Sequence, residues 1–158
     1  MRSVCLTLLL LTGLPMNAAF AETVSCPDLA QAVQVGACPS EEELRYTYTG
    51  YCSDNARMYD AKDDVCSNFQ NYRKLKNVVL WESGDGAFSG YLSCDLSAAR
   101  VRAAAATKIA VARQGSITRV VCTFGEGVVF SHRTKLACQA EGNASCADNP
   151  GSCRASCQ

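Results

Sequence analysis

The sequence predicts an α+β fold: antiparallel hairpins and a meander packed with one long and one or two short helices, closed by a disulfide-stapled C-terminal loop. Three observations carry that prediction. Apolar residues alternate at period two between glycine-containing turns, one stretch repeats its apolar residues at helical spacing, and cysteines continue to the end of the 158-residue chain.

Met1 and Arg2 place one positive charge ahead of an apolar run from Val4 to Leu14, interrupted only by Thr7, Thr12 and Gly13. That run is too short to span a bilayer, and Ala19-Phe20-Ala21 has the small-x-small form that signal peptidase cuts. Residues 1–21 therefore read as a cleaved export signal, 22–138 as a disulfide-rich α+β domain, and 139–158 as a cysteine-rich C-terminal loop packed on the same domain. Of 11 cysteines, Cys5 leaves with the signal. The even set that remains, Cys26, Cys38, Cys52, Cys66, Cys94, Cys122, Cys138, Cys146, Cys153 and Cys157, predicts disulfides throughout and a periplasmic or secreted protein. The chain is long enough to bury a core that those bridges supplement. The short, singly charged leader has a bacterial character; Asn143-Ala144-Ser145 would accept a glycan only in a eukaryotic secretory pathway.

Pro27 to Val35 suits a short helix, with Ser25 or Asp28 near its start and Gly36 beyond its end. Ser40 to Glu43 has the form of a capping box, but Leu44 to Tyr51 alternates Tyr46 and Tyr48 with Thr47 and Thr49. That alternation predicts one helical turn at most, then a strand ending at Cys52. From Asp54 to Leu75, Met58, Val65, Phe69 and Tyr72 recur at helical spacing and predict the long helix, with Cys66 tying it to the sheet or to the N-terminal segment.

Asp85-Gly86 signals a two-residue type I′ hairpin that pairs Val79 with Leu92, Trp81 with Gly90 and Ser83 with Phe88. Val79, Trp81, Phe88 and Leu92 then share one face, while Leu80 and Tyr91 point the other way and require cover from the long helix or the tail. Ser97 to Ala105 reads as a helix, although a longer helix reaching Gly115 fits the alanine-rich stretch nearly as well. Gly115-Ser116 as a type II′ turn and Gly125-Glu126-Gly127 as a three-residue loop predict a meander of Lys108 to Gln114, Ile117 to Phe124 and Val128 to Leu136. Its core side carries Ile109, Val111, Val120, Cys122, Phe124, Val128 and Phe130, and its wet side Lys108, Arg119, Arg133 and Lys135. After Cys138 almost no large apolar residue remains, so the tail reads as a loop whose four cysteines pair mainly with one another.

The chemistry is bounded by elimination. No cysteine pair has the Cys-x-x-Cys spacing of a thiol oxidoreductase. A single histidine among oxidised cysteines argues against a metal site, and no phosphate loop of the Gly-rich Lys-Ser/Thr type is present. No cofactor is implied and no nucleic-acid partner. Glu41, Glu42, Glu43, Asp63 and Asp64 supply carboxylates for a glycosidase pair, but such runs usually form solvated faces. His132 is the only histidine and the only plausible general base; it falls across from Val120 at the end of the apolar stripe, where a packing role is commoner.

Charge is lopsided although the total is balanced. Glu22 to Tyr72 holds nine acidic and three basic residues, and Arg73 to Cys138 four acidic and ten basic. The halves either neutralise one another or leave a basic face for an anionic partner. Two binding surfaces stand out: Arg119 directly across from Arg133, with Lys108 and Lys135 on the same side, and the rings of Tyr46 and Tyr48, with Tyr51, as a platform for a sugar or a partner protein. The expected function is a non-enzymatic binding or interaction module of the cell envelope or secretome, an accessory or inhibitor protein. Its partner would be an envelope or secreted protein, or an anionic or glycan ligand. The alternative is a small secreted hydrolase using His132.

Overall fold

A computed structural model describes residues 21–60, 62–142 and 144–158. The export signal and the Asn143 glycan acceptor lie outside the described residues, Ala21 of the signal excepted. Among the described residues, nine strands form two antiparallel sheets. The larger has the order β2-β3-β4-β7-β6-β5, built from β2 (Val33–Val35), β3 (Val78–Glu82), β4 (Ser89–Ser93), β5 (Ala106–Gln114), β6 (Ile117–Phe124) and β7 (Val129–Thr134). The smaller has the order β1-β9-β8, from β1 (Glu22–Ser25), β8 (Cys138–Ala140) and β9 (Arg154–Cys157). Three α-helices accompany them: α1 (Glu41–Tyr51), α2 (Phe69–Lys76) and α3 (Ala98–Ala103).

The hairpin and the meander take the predicted registers. Val79 pairs with Leu92 and Trp81 with Gly90; Arg119 pairs with Arg133 and Val120 with His132. Chain reversal between β3 and β4 differs in detail from a type I′ turn. Gly86 has a positive φ while Asp85 does not, and the turn closes by Gly86 N–H donating to the Ser83 carbonyl while Ser83 N–H donates to Phe88. The residues between Ser83 and Phe88 thus form a wider loop that keeps the same register, because the 83/88 pair is preserved. Ser83 Oγ, buried, accepts from Phe88 N–H at 3.0 Å and donates to Asp85. In the Gly125-Glu126-Gly127 loop all three residues have positive φ. Arg100 on α3 reaches over to Glu126, its Nε donating at 2.9 Å.

One face of the larger sheet buries Val79, Trp81, Leu92, Ile109, Val120, Cys122, Phe124 and Phe130. Leu29, Ala32, Val101 and the smaller sheet pack on it in one continuous cluster. Cys26–Cys122 ties that cluster across a sequence separation of 96. The alanine-rich stretch resolves as a helix capped by Ser97 followed by a strand from Ala106; Ile109 and Val111 turn inward at period two, and a register shift between Ala106 and Lys108 lets Ala106 be buried as well.

The N-terminal half departs from expectation in five places. Pro27 to Val35 forms only a 3₁₀ turn at Leu29–Gln31, capped by Asp28, before Val33–Val35 joins β3 as an edge strand. The Ser40 capping box is complete, with Ser40 Oγ accepting from Glu43 N–H and the Glu43 carboxylate accepting from Ser40 N–H. It starts a full helix, so Leu44 to Tyr51 is α1 and not a strand. The long helix over Asp54 to Leu75 does not exist as one element: a π-helical turn at Ala56–Asp60 and α2 stand in its place. Each new segment begins where an Asp or Asn side chain captures a nearby backbone N–H: Asp54 that of Ala56, Asp63 that of Val65, Asn68 that of Asn71. Cys66 pairs with Cys52, tying neither the sheet nor the N-terminal segment. Finally, neither the long helix nor the tail covers Tyr91, which is 71% exposed, while Leu80 is half-buried between its strand neighbours Val35 and Tyr91.

The tail is more ordered than a loop. Cys138–Cys157 joins paired residues of β8 and β9, and Cys146–Cys153 closes the intervening segment. Cys146, Cys153, Ala155 and Cys157 are buried. Pairing to β1 supplies the backbone partners that the tail's own side chains cannot. The set is completed by Cys38–Cys94. Five disulfides make this a cysteine-rich protein of an oxidising compartment. Among the described residues, no helix is long and apolar enough to cross a membrane.

Candidate functional site

Strands β4 and β7 join the hairpin to the meander through a single ladder pair, Ser89 with Ser131. Gly90 makes the approach possible, because a Cβ there would collide with the Val129 carbonyl. This seam merges two outer faces that local patterning leaves separate. Val35 pairs with Leu80 and Leu80 with Tyr91; continuing the β4–β7 register brings Tyr91 beside Val129, which pairs with Thr123 and through it leads to Lys108. Two side-chain positions further along β7 and β6 stand Arg133 and Arg119.

The outer face carries no helix and holds a cleft of about 470 Å³ at the seam, walled by Leu80, Tyr91 and Val129 on one side and by Arg119, Ser131 and Arg133 on the other. Arg119 leans toward the seam, its Nη2 3.5 Å from Ser131 Oγ, and Ser131 Oγ in turn lies 3.4 Å from the Ser89 carbonyl. Among the described residues, the ion pairs are Glu41 with Arg45 and Arg73, Asp54 with Arg57, Asp95 with Arg73, and Glu126 with Arg100. Neither arginine of the cleft takes part in them. The acidic N-terminal half thus neutralises the basic half only through Glu41 and Arg73.

The other candidates separate. Lys108 shares the outer face but lies on β5, two strands beyond β7, and does not line the cleft. Lys135 lies just past the end of β7. Tyr46 and Tyr48 form no common platform, because on a helix two positions apart means opposite sides. Tyr46 is 82% exposed, whereas Tyr48 packs against Phe69 and Tyr72 with ring centroids at 5.7 and 5.3 Å. A cavity of about 850 Å³ lies here, among Pro39, Leu44, Tyr46, Tyr51, Tyr72 and Lys76. It is larger than the seam cleft and is also lined by Glu43, Thr47 and Thr49, but those three side chains are engaged with the backbone of α1 and its cap: Glu43 accepts from Ser40 N–H, and the Thr47 and Thr49 hydroxyls donate to the Glu43 and Arg45 carbonyls.

His132 points to the core side. Its ring lies 5.4 Å from that of Phe88, and Nδ1 is 2.9 Å from the Ala87 carbonyl. A carbonyl only accepts, so Nδ1 carries the proton. No serine, threonine or carboxylate hydrogen-bonds the ring among the described residues. Asp85, the nearby acid, is held below its ordinary value of 3.8 mainly by the Ser83 hydroxyl and then by Ala87 N–H, which fixes it as a turn-closing group. No cluster of His, Cys, Asp and Glu suits a metal ion among the described residues.

Tyr91, Leu80, Val129 and Ser131 are the residues that patterning alone does not assign to a site. Alternation gives the side of the strand each occupies; which strand lies next to which depends on the nonlocal β4–β7 pairing. None of the protein families, characterised proteins or solved structures compared with this chain matches it.

Proposed function

We propose that the chain is a non-enzymatic binding module, exported from a bacterial cell to the periplasm or beyond, that presents the outer face of its larger sheet to a partner. The partner is an envelope or secreted protein, or an anionic or glycan ligand. One observation carries this reading: two arginines stand directly across from each other on the outer sheet face, without an ion pair among the described residues, and line one cleft with exposed Tyr91 and Val129. Like charges opposite one another destabilise a sheet by a few tenths of a kcal/mol. A bound anion removes that repulsion. The leader-like N-terminus and the disulfides support export.

The test is native mass spectrometry of the oxidised protein purified from its own compartment, together with its Arg119→Glu/Arg133→Glu and His132→Ala variants. The wild type and His132→Ala carry a bound species, protein or small molecule, that the double reversal loses. A wild type that holds nothing, or a species retained by the double reversal, overturns the reading; ester hydrolysis that disappears with His132→Ala establishes the hydrolase instead.

A further inference from the structure

Resting on that reading of the outer face, we infer that the seam cleft binds a phosphate monoester carried on an apolar body, as a small soluble ligand. The cleft has two unlike walls. Arg119 and Arg133 stand side by side without counter-ions, and guanidinium forks match the oxygens of a phosphate. A monoester carries nearly two negative charges at neutral pH, which balances both arginines where a monoanion balances one. Arg119, turned toward Ser131, brings its charge from its own row to the seam.

The opposite wall is apolar. Leu80, Tyr91 and Val129 face the same space, and Tyr91 offers a ring for stacking. An inorganic anion would leave this wall unused; an apolar ester group fills it. The volume of about 470 Å³ is that of a small-molecule site. A membrane surface is a poorer occupant, because anionic bilayers are recognised by runs of about four to eight basic residues, and Lys108 and Lys135 lie outside the cleft.

The inference is tested by following backbone amide and arginine Nε–H resonances of the oxidised protein during titration with phenyl phosphate, phenyl sulfate and inorganic phosphate. Phenyl phosphate gives saturable shifts at Ser131, Tyr91, Arg119 and Arg133. It binds about tenfold more tightly than either of the others, the gain expected from covering some tens of Å² of apolar surface or from neutralising the second guanidinium. Arg119→Gln and Arg133→Gln each weaken it about tenfold. Tyr91→Ala brings it down to the level of inorganic phosphate without changing the latter, and Lys74→Gln on α2 changes nothing. Non-saturating shifts spread over all basic residues, equal binding of phenyl sulfate and phenyl phosphate, or loss with Lys74→Gln overturn the inference. So does binding seen only on vesicles containing phosphatidic acid. If phenyl phosphate fails while the native protein still carries a species that the double reversal loses, the ligand class is wrong and the binding surface stands; if both fail, both fall.

Discussion

The sheet body and the helical lobe are built on different principles. In the body, two sheets and α3 enclose one cluster in which Leu29, Val101, Ile109, Val120, Cys122 and Phe130 are fully buried, and Cys26–Cys122 spans most of the chain. The lobe of α1 and α2 stands outside that cluster. Its buried residues are Leu44, Cys52, Cys66 and Tyr72, its bridge closes a separation of only 14, and Tyr48, Tyr51, Phe69 and Tyr72 supply its packing. Arg73 joins α2 to Glu41 of α1 within the lobe, and Cys38–Cys94 and the Arg73 contact with Asp95 attach it to the body. The body therefore provides a rigid frame for the seam cleft, and the lobe opens first, because local stability follows the density of buried apolar contact.

The largest expected effect is in the body. Phe130→Ala removes a fully buried ring and costs about 3–5 kcal/mol, lowering the whole denaturation midpoint; a change confined to the lobe would show that the core is not shared by the body. Next comes the lobe. Tyr48→Ala costs on the order of 2 kcal/mol, since half-burial leaves part of the full aromatic loss, whereas Tyr46→Ala leaves melting unchanged within about 0.5 kcal/mol. Hydrogen exchange places the Tyr48→Ala loss in α1 and α2 with the β5–β6–β7 amides still protected. Equal loss in both regions would make them one cooperative unit.

The smallest effect is acid sensitivity. The Asp95 carboxyl is held below 3.8, chiefly by the Arg73 guanidinium, and Glu43 below 4.5, chiefly by the Ser40 backbone N–H. A carboxyl whose folded value is depressed contributes stability that is complete above its unfolded value and is lost as pH falls toward the folded one. Both groups belong to the lobe or its attachment. Acidification from pH 5 to below about 4 should therefore weaken exchange protection in α1 and α2 before the sheets, by a small amount because the groups are exposed. Asp85 has the same sign but lies in the hairpin loop of the body, so simultaneous loosening of sheet and lobe would count against their independence.

Legibility follows the same division. Hairpin and meander registers are readable because a short turn fixes them locally: Asp85-Gly86 and Gly125-Glu126-Gly127 leave little choice of partner. Tyr46-Thr47-Tyr48-Thr49 misleads because its period-two alternation suits a strand, yet the Ser40 box starts a helix that Phe69 and Tyr72 then hold through Tyr48. The stretch after Asp54 misleads in reverse: its apolar spacing is helical, but Asp63 and Asn68 cap the backbone and Cys52–Cys66 folds the chain back. Of the candidate site, the cross-strand arginines are legible from register alone. Their apolar neighbours are not.

Sequence by itself determines the α+β class, the alternation that separates core from outer face, and the cross-strand placement of Arg119 against Arg133, because each depends on residues near in sequence or on composition. Tertiary structure alone decides that β4 meets β7, that β1 completes the tail as a sheet, which cysteines pair, and that Tyr91 stays exposed in the cleft it shares with the arginines. Those outcomes depend on contacts between segments tens of residues apart, whose free energy comes from burying surfaces jointly and leaves no periodic mark in either segment.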